Sequence, residues 1–273
     1  MQSERTVLVT GSSSGIGLAL SREFAAQGHR CIPTARSAEA VGALLAEGFD
    51  ALPLDVTDPE SIAACVEQAI ARAGRIDILV NNAGVSLFGP LAETPIADVR
   101  HMLETNFIGP LAVVQAVFPH MARQGSGRIV NVGSMVGVVP TPWVGAYSGA
   151  KAGLHMLSET LRTEVQPFGI DVVVVQPGGV RSEVAAKARR HSHTPHYAPA
   201  EHDIERRADA SQSRPMSAED FARRVVRAVT RPRAPRVVRA GAGLVVLGIL
   251  ERAPRLRDWM WSRAFGVSKL PGR

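Results

Sequence analysis

The chain is short of cysteine, lysine and long hydrophobic runs, and each shortage removes a class of protein. Two cysteines, Cys31 and Cys65, in 273 residues make neither a disulfide framework nor a metal-type pair. Both stand in apolar stretches and are expected as buried free thiols. The longest uncharged apolar run, Ala240–Leu250, falls well short of the ~20 residues a membrane-spanning helix needs. The opening residues MQSERTVLVTG hold no signal-peptide hydrophobic segment, so a cytoplasmic protein is expected. Positive charge is missing from the first two thirds. Residues 1–180 carry 11 basic and 16 acidic side chains, a net of −5, whereas residues 181–273 carry 20 and 9, a net of +11. A uniformly basic nucleic-acid binder does not have that distribution, and no nucleic-acid motif accompanies it, so no nucleic-acid partner is expected. Only Lys151, Lys187 and Lys269 among the 31 basic residues are lysines, so the basic third is an arginine surface.

What is present is globular: 45% apolar and 21% charged residues exclude a disordered or collagenous chain. Apolar β-rich runs at Thr6–Thr10, Arg30–Ala35, Ala51–Asp55, Ile76–Asn81, Gly127–Val132, Ile170–Gln176 and Arg236–Arg239 alternate with helix-length amphipathic stretches. The helices are expected near 15–28, 59–74, 95–124, 146–168, 217–231 and 243–252. Continuous blocks such as Val172–Val175 suit a parallel sheet covered on both faces. The alternation predicts one α/β domain over 1–273, a doubly wound Rossmann-type fold with a central parallel sheet of about seven strands and helices on both faces. Residues 183–215 break the rhythm. They are polar, hold His191, His193, His196 and His202, and read as a lid over the substrate; spacing in a Pro-rich loop argues against a metal. Residues 240–273 read as a variable helical extension.

The first strand runs into Gly11-Ser12-Ser13-Ser14-Gly15-Ile16-Gly17 and then an apolar helix. A glycine turn there lets backbone N–H groups and the helix N-terminus approach a pyrophosphate. At the end of the second strand, where a carboxylate would select NAD(H), the sequence has Ala35 and then Arg36. A guanidinium forks onto a 2′-phosphate, so NADP(H) is preferred over NAD(H), and Arg36→Asp, or better Ala35→Asp, is expected to shift that preference toward NAD(H). Tyr147 and Lys151 lie four apart on a predicted helix, hence on one face. An ammonium beside a phenol is expected to lower the phenol's pKa, and a tyrosine so tuned exchanges a proton with a carbonyl or alcohol oxygen. Ser134, at the end of the fifth strand, is placed to hydrogen-bond that same oxygen.

Thr10–Gly17 (TGSSSGIG), Asn81–Gly84 (NNAG), Ser134, Tyr147 with Lys151 (YSGAK) and Pro177-Gly178 together resemble the short-chain dehydrogenase/reductase family over about residues 5–182. The C-terminal region resembles its retinol and hydroxysteroid dehydrogenase-like branch. The resemblance implies that Ser134, Tyr147 and Lys151 are catalytic and that Asn106 holds a water linking Lys151 to solvent. It implies cofactor contacts from Gly11, Ser13, Ser14, Gly15, Ile16, Gly17, Asp55, Val56, Asn82, Ala83, Gly84, Pro177, Gly178, Val180 and Ser182. It also implies that Lys151 holds the nicotinamide ribose and that the chain assembles as a homo-dimer or homo-tetramer. Asp55 alternatively reads as a residue ahead of the helix beginning at Pro59. Ser14 stands where many NADP-using members carry a basic residue, so the NADP(H) reading rests on Arg36 and the missing acid.

Leu87, Phe88, Val138, Val139, Trp143 and Val144 flank this site and suit either a lipophilic pocket or core packing. Trp259, Trp261 and Phe265 alternate with Arg252, Arg255, Arg257 and Arg263, a pattern that suits peripheral contact with an anionic membrane, a cap on the substrate entrance, or packing on the body. The function expected is NADP(H)-dependent reduction of a lipophilic carbonyl, or oxidation of the alcohol. The alternatives are reduction of a carrier-bound 3-oxoacyl group and a non-catalytic NADP(H) sensor.

Overall fold

Alternating apolar residues send each strand's side chains to opposite faces of one sheet, which is why the chain builds helices on both sides. The computed structural model describes residues 4–184, 187–210 and 212–271, so residues 185, 186 and 211 of the expected lid lie outside the described residues. The strands are β1 (Thr6–Val9), β2 (Arg30–Ala35), β3 (Leu52–Pro53), β4 (Ile78–Asn81), β5 (Leu87–Phe88), β6 (Gly127–Val132), β7 (Ile170–Pro177), β8 (Arg189–Arg190) and β9 (Val237–Ala240). The main sheet has the order β3-β2-β1-β4-β6-β7-β9, and every neighbouring pair is parallel. Strand order reverses between β1 and β4. In such a sheet a ligand crevice opens at the reversal, beyond the strands' C-terminal ends.

The helices are α1 (Gly15–Ala26), α2 (Ala38–Ala46), α3 (Pro59–Ala73), α4 (Ile96–Leu103), α5 (Gly109–Gln124), α6 (Gly145–Val165), α7 (Glu201–Ala210), α8 (Ala218–Val229), α9 (Leu244–Arg252) and α10 (Pro254–Ala264). On one face Val7, Val9, Val80, Val130 and Val173 pack with Phe24 of α1 and Phe221, Val225 and Val229 of α8. On the other, Leu8, Leu79, Ile129 and Val172 meet Ile62 and Val66 of α3 and Val113 and Val117 of α5. Adjacent residues of one strand thus enter different cores. Phe221 is fully buried, so truncating it to Ala costs roughly 3–5 kcal/mol. The helix starts are chemically marked: Asp58 accepts the Glu60 N–H at 3.0 Å, and Ser217 accepts the Asp220 N–H at 3.0 Å. Cys31 and Cys65 are buried and free, their thiols pushed up to about 12 by loss of solvent.

The structure departs from the sequence expectation in three places. The single helix expected over 95–124 is α4, a π-helical turn at Glu104–Ile108, and α5. Pro110 lacks the N–H that would bond the Asn106 carbonyl four residues back, so regular α-helix fails there. The short helix α2, which contains Gly42, carried too weak a pattern to be expected. The expected lid loop contains secondary structure: β8 pairs with β5, and α7 packs on Phe88 and Val144 through Ala208. Three of its four histidines meet carboxylates, His191 with Asp98 at 2.8 Å, His193 with Glu201 at 2.7 Å, and His196 with Glu93. Among the described residues no helix is long and apolar enough to cross a membrane.

Candidate active site

The ends of β1, β4, β6 and β7 bring the expected site residues to the edge where strand order reverses. After β1, Gly15 adopts φ +56°, and a Cβ on Gly17 would meet the Gly11 carbonyl oxygen at 2.1 Å. Both positions require glycine. Ser13 is exposed, and Ser14 begins α1 with no side-chain cap, so the first-turn N–H groups stay open to an anion. Asn82 secures this loop from β4, donating to the carbonyls of Thr10 at 3.0 Å and Gly11 at 2.9 Å. Its side chain is therefore a loop clamp. Ala83 adds a backbone N–H to the Thr10 hydroxyl at 3.0 Å.

Arg36 is exposed just past β2, and among the described residues no carboxylate forms an ion pair with it. Its charge is felt at Asp55, whose carboxyl is held below the usual range by hydrogen bonds from Thr57, with Arg36 helping, against the opposing effect of burial. Asp58 caps α3, which removes the capping reading of Asp55. The side chains of Val56 and Val180 are buried in the two main cores. β7 ends at Pro177, and Gly178 leads on to Ser182, whose N–H reaches the Gln212 side chain at 3.3 Å. Gln212 also holds the Val180 carbonyl at 3.1 Å, a clamp with no motif in the sequence.

Ser134 follows β6 and shares a hydrogen bond with the Tyr147 phenol. Lys151 lies one turn beyond Tyr147 on α6, 4% exposed, with Nζ donating to the Val132 carbonyl at 2.8 Å and lying 5.8 Å from the Tyr147 ring centroid. Here one sequence expectation is corrected. Burial pushes the Tyr147 phenol above its ordinary value, opposed by the Ser134 hydrogen bond, and Lys151 does not lower it. The same burial pulls Lys151 down to about 8, because its charge has only a carbonyl to face. His155, one turn further, was not anticipated. Its Nε2 accepts the Ser134 N–H at 3.3 Å, and burial, with Lys151 and Arg239 nearby, pulls it down to about 4.

Asn106 is fully buried, and its amide is committed: it accepts the Val85 N–H at 3.0 Å and donates to the Val85 carbonyl at 2.9 Å. Val85 packs in the cluster that includes Tyr147, so the side chain braces the active-site wall. Asn81 donates to Asn131 at 2.9 Å and Asn131 to Ser158 at 2.8 Å, a buried polar ladder tying β4, β6 and α6 together.

The flanking apolar residues divide. Leu87 packs in the Tyr147 cluster, and Phe88 and Val144 pack under α7. Val139 packs on Leu250, with Val138 against the same cluster. Trp143 borders a cleft of about 490 Å³ with Pro90, Leu91, Ala92, Pro142 and Tyr197. Among the described residues it is the non-glycine residue with positive φ, +68°, held there by Nε1–H donation to the Phe265 carbonyl at 2.7 Å. The C-terminal aromatics split likewise. Trp261 packs on the Met135–Val139–Leu250 cluster and Phe265 on that of Trp143, while Trp259 is 57% exposed under Arg263.

This fold and site define a nicotinamide-dependent oxidoreductase of the doubly wound α/β class. The short chain dehydrogenase profile matches residues 5–193, and the chain belongs to that family, whose members act on alcohol and carbonyl groups. It is 35% identical over 269 residues to the short-chain dehydrogenase ptmH of Penicillium ochrochloron, covering 97% of this chain and 99% of that one. It is 38% identical over 190 residues to an NADPH-dependent 1-acyldihydroxyacetone phosphate reductase of Schizosaccharomyces pombe, covering 68% of this chain and 64% of that relative's length. A crystal structure of a short-chain dehydrogenase from Streptomyces avermitilis superposes with a TM-score of 0.83 at 34% identity, over 95% of this chain and 97% of that one.

Proposed function

We propose that the chain is an NADP(H)-dependent carbonyl reductase, or the reverse alcohol dehydrogenase, acting on a lipophilic small molecule. The observation that carries this is the hydrogen bond of Ser134 to Tyr147, with Lys151 buried one turn away, at the sheet's ligand edge. A bound nicotinamide supplies or takes the hydride. Tyr147 gives its proton to the carbonyl oxygen during reduction and recovers one during oxidation, while the Ser134 hydroxyl orients that oxygen. Lys151, with a pKa brought down to about 8, passes a proton toward Tyr147 at working pH. The uncapped first turn of α1 and the bare Gly15 backbone would hold the pyrophosphate, and the unpaired Arg36 the 2′-phosphate. The fission-yeast relative's NADPH dependence supports the same cofactor. The apolar cleft beside Trp143 and Tyr197 supports the lipophilic substrate.

Two further readings concern partners. Exposed Leu103, Ile108, Met156 and Phe168 on the α4–α6 side support a homo-oligomeric contact there. Exposed Val245, Val246, Ile249, Leu256 and Trp259, flanked by exposed Arg252, Arg255 and Arg263, support peripheral contact with an anionic membrane.

The test is NADPH oxidation across a panel of ketones and aldehydes, with Tyr147→Phe as control. Wild type is expected to turn over part of the panel, and the variant to lose roughly 10²–10⁴-fold in kcat while still binding NADPH. Equal rates in both proteins would remove Tyr147 from the chemistry.

A further inference from the structure

The lid helix α7 buries a positive charge, and none of the carboxylates among the described residues neutralises it. Its inward face sends Ile204 onto Trp143 and Ala208 onto Phe88 and Val144. Between them Arg207 is 8% exposed, with its guanidinium 5.2 Å from the centroid of the Phe265 ring. Its Nε is sealed from solvent without a hydrogen-bond partner, and among the described residues no carboxylate forms an ion pair with it.

The neighbouring acids are all engaged elsewhere. Asp203 holds Arg206 and Lys269, Glu205 and Asp209 hold Arg190, and Glu201 holds His193. An aromatic face softens the isolation of a guanidinium but does not replace an anion. Burial accordingly pulls this arginine down to about 10.

The position is significant because of what surrounds it. Trp143 and Val144 immediately precede α6, and Tyr147 stands in the first turn of that helix. Leu87, beside Phe88 in β5, belongs to the cluster that packs with Tyr147. Arg207 thus lies on the inner face of the lid helix, separated by Phe265 and Ile204 from Trp143, which borders the apolar cleft with Tyr197.

We propose that Arg207 binds an oxyanion, a carboxylate or a phosphate, carried by the substrate away from the carbonyl that Tyr147 protonates. This rests on the oxidoreductase reading and narrows it: the substrate is amphiphilic, with hydrocarbon against Trp143 and a charged group on the guanidinium fork.

Binding and turnover test this separately. With the protein saturated with NADP+, calorimetric titration compares benzyl alcohol, benzoate and phenyl phosphate on wild type, Arg207→Met and Arg207→Lys. At least one anion is expected to bind wild type roughly tenfold or more tighter than the alcohol, and to lose that advantage in Arg207→Met. Whichever anion gains more identifies carboxylate or phosphate as the natural group. Equal Kd values for all three probes, or an anion preference that survives in Arg207→Met, overturn the proposal.

For turnover, the kcat/KM ratio of a long-chain ketone bearing a terminal carboxylate or phosphate to its neutral counterpart is expected to fall at least tenfold in Arg207→Met, with partial recovery in Arg207→Lys. An unchanged ratio overturns it. Anion binding that depends on Arg207 without turnover of any ketone upholds the site and removes the proposed reading as a reductase of such ketones instead. The melting temperature separates a structural role: Arg207→Met is expected to hold or gain stability, since an uncompensated buried charge is removed. A large loss of Tm with no change in anion preference assigns Arg207 to packing alone and overturns the proposal.

Discussion

The imidazole Nε2 of His155 accepts the backbone N–H of Ser134 at 3.3 Å, so the main chain at Ser134, proposed above to orient the substrate oxygen, is braced by a histidine one helical turn beyond Lys151. That bond needs a neutral ring. His155 is held down at about 4, against an ordinary value near 6.5, so between those limits the unfolded chain binds a proton that the native chain refuses. Stability therefore falls as pH drops from about 6.5 toward 4, by about 1.4 kcal/mol per pH unit at most from this group. His155→Gln retains an acceptor but cannot titrate. Its urea midpoints at pH 7, 5.5 and 4.5 are expected to decline less than those of wild type. Parallel declines would show that other groups set the acid limb.

Asn106 presents a second positioning device. Replacing it by Leu leaves the N–H and carbonyl of Val85 without their partners, at about 1–3 kcal/mol for each group. A fall in Tm of several degrees is expected, together with a lower kcat, because Val85 packs in the Tyr147 cluster. Asn106→Asp keeps the acceptor and loses the donor, so it should fall between the two. An unshifted Tm in Asn106→Leu would show that the clamp contributes nothing.

These two residues also mark how far the sequence could be read. Ser134, Tyr147, Lys151 and the glycine turn were legible because their chemistry is local: a strand end, an i,i+4 pair, and a turn that only glycine can make. The seven strands were legible from continuous Val/Ile/Leu blocks, and the structure places each within a few residues of its expected span. His155, Gln212 and the Asn81–Asn131–Ser158 ladder were not, because each polar atom finds its partner across the sheet or the lid, at no fixed sequence spacing. The phenol's pKa was misread for a related reason. Helical spacing set Lys151 beside Tyr147, but only tertiary packing revealed that both are desolvated. The π-helical turn was foreshadowed by Pro110, whose effect on a carbonyl four residues earlier is local and was overlooked.

Cofactor preference has a cleaner test than the sequence first suggests. Ala35 is 2% exposed and packs with Val41, Leu44 and Ala51, so Ala35→Asp would bury a carboxylate among apolar groups. Arg36 is exposed, and Arg36→Gln removes the charge without disturbing that cluster. The variant is expected to lose roughly tenfold or more in kcat/KM for NADPH, with little change for NADH. Equal losses with both cofactors would show that Arg36 does not read the 2′-phosphate.

The outward face of α9 and α10 decides whether the basic third touches a membrane. Ile249 and Trp259 are 55% and 57% exposed, whereas Trp261 and Phe265 are turned into the body. A variant carrying Ile249→Asp and Trp259→Asp therefore removes apolar contact and adds negative charge without entering the packed clusters. Wild type is expected to co-sediment with vesicles of anionic lipid and less with zwitterionic ones, to be released as salt rises, and to lose binding in the double variant. Arg263 loses its stacking surface with Trp259, so Arg252→Gln with Arg255→Gln provides the separate electrostatic arm. Vesicle binding that is equal in wild type and both variants would place the contact elsewhere. Concentration-dependent self-association that the double variant abolishes, with no vesicle binding, would assign this face to a second copy of the chain.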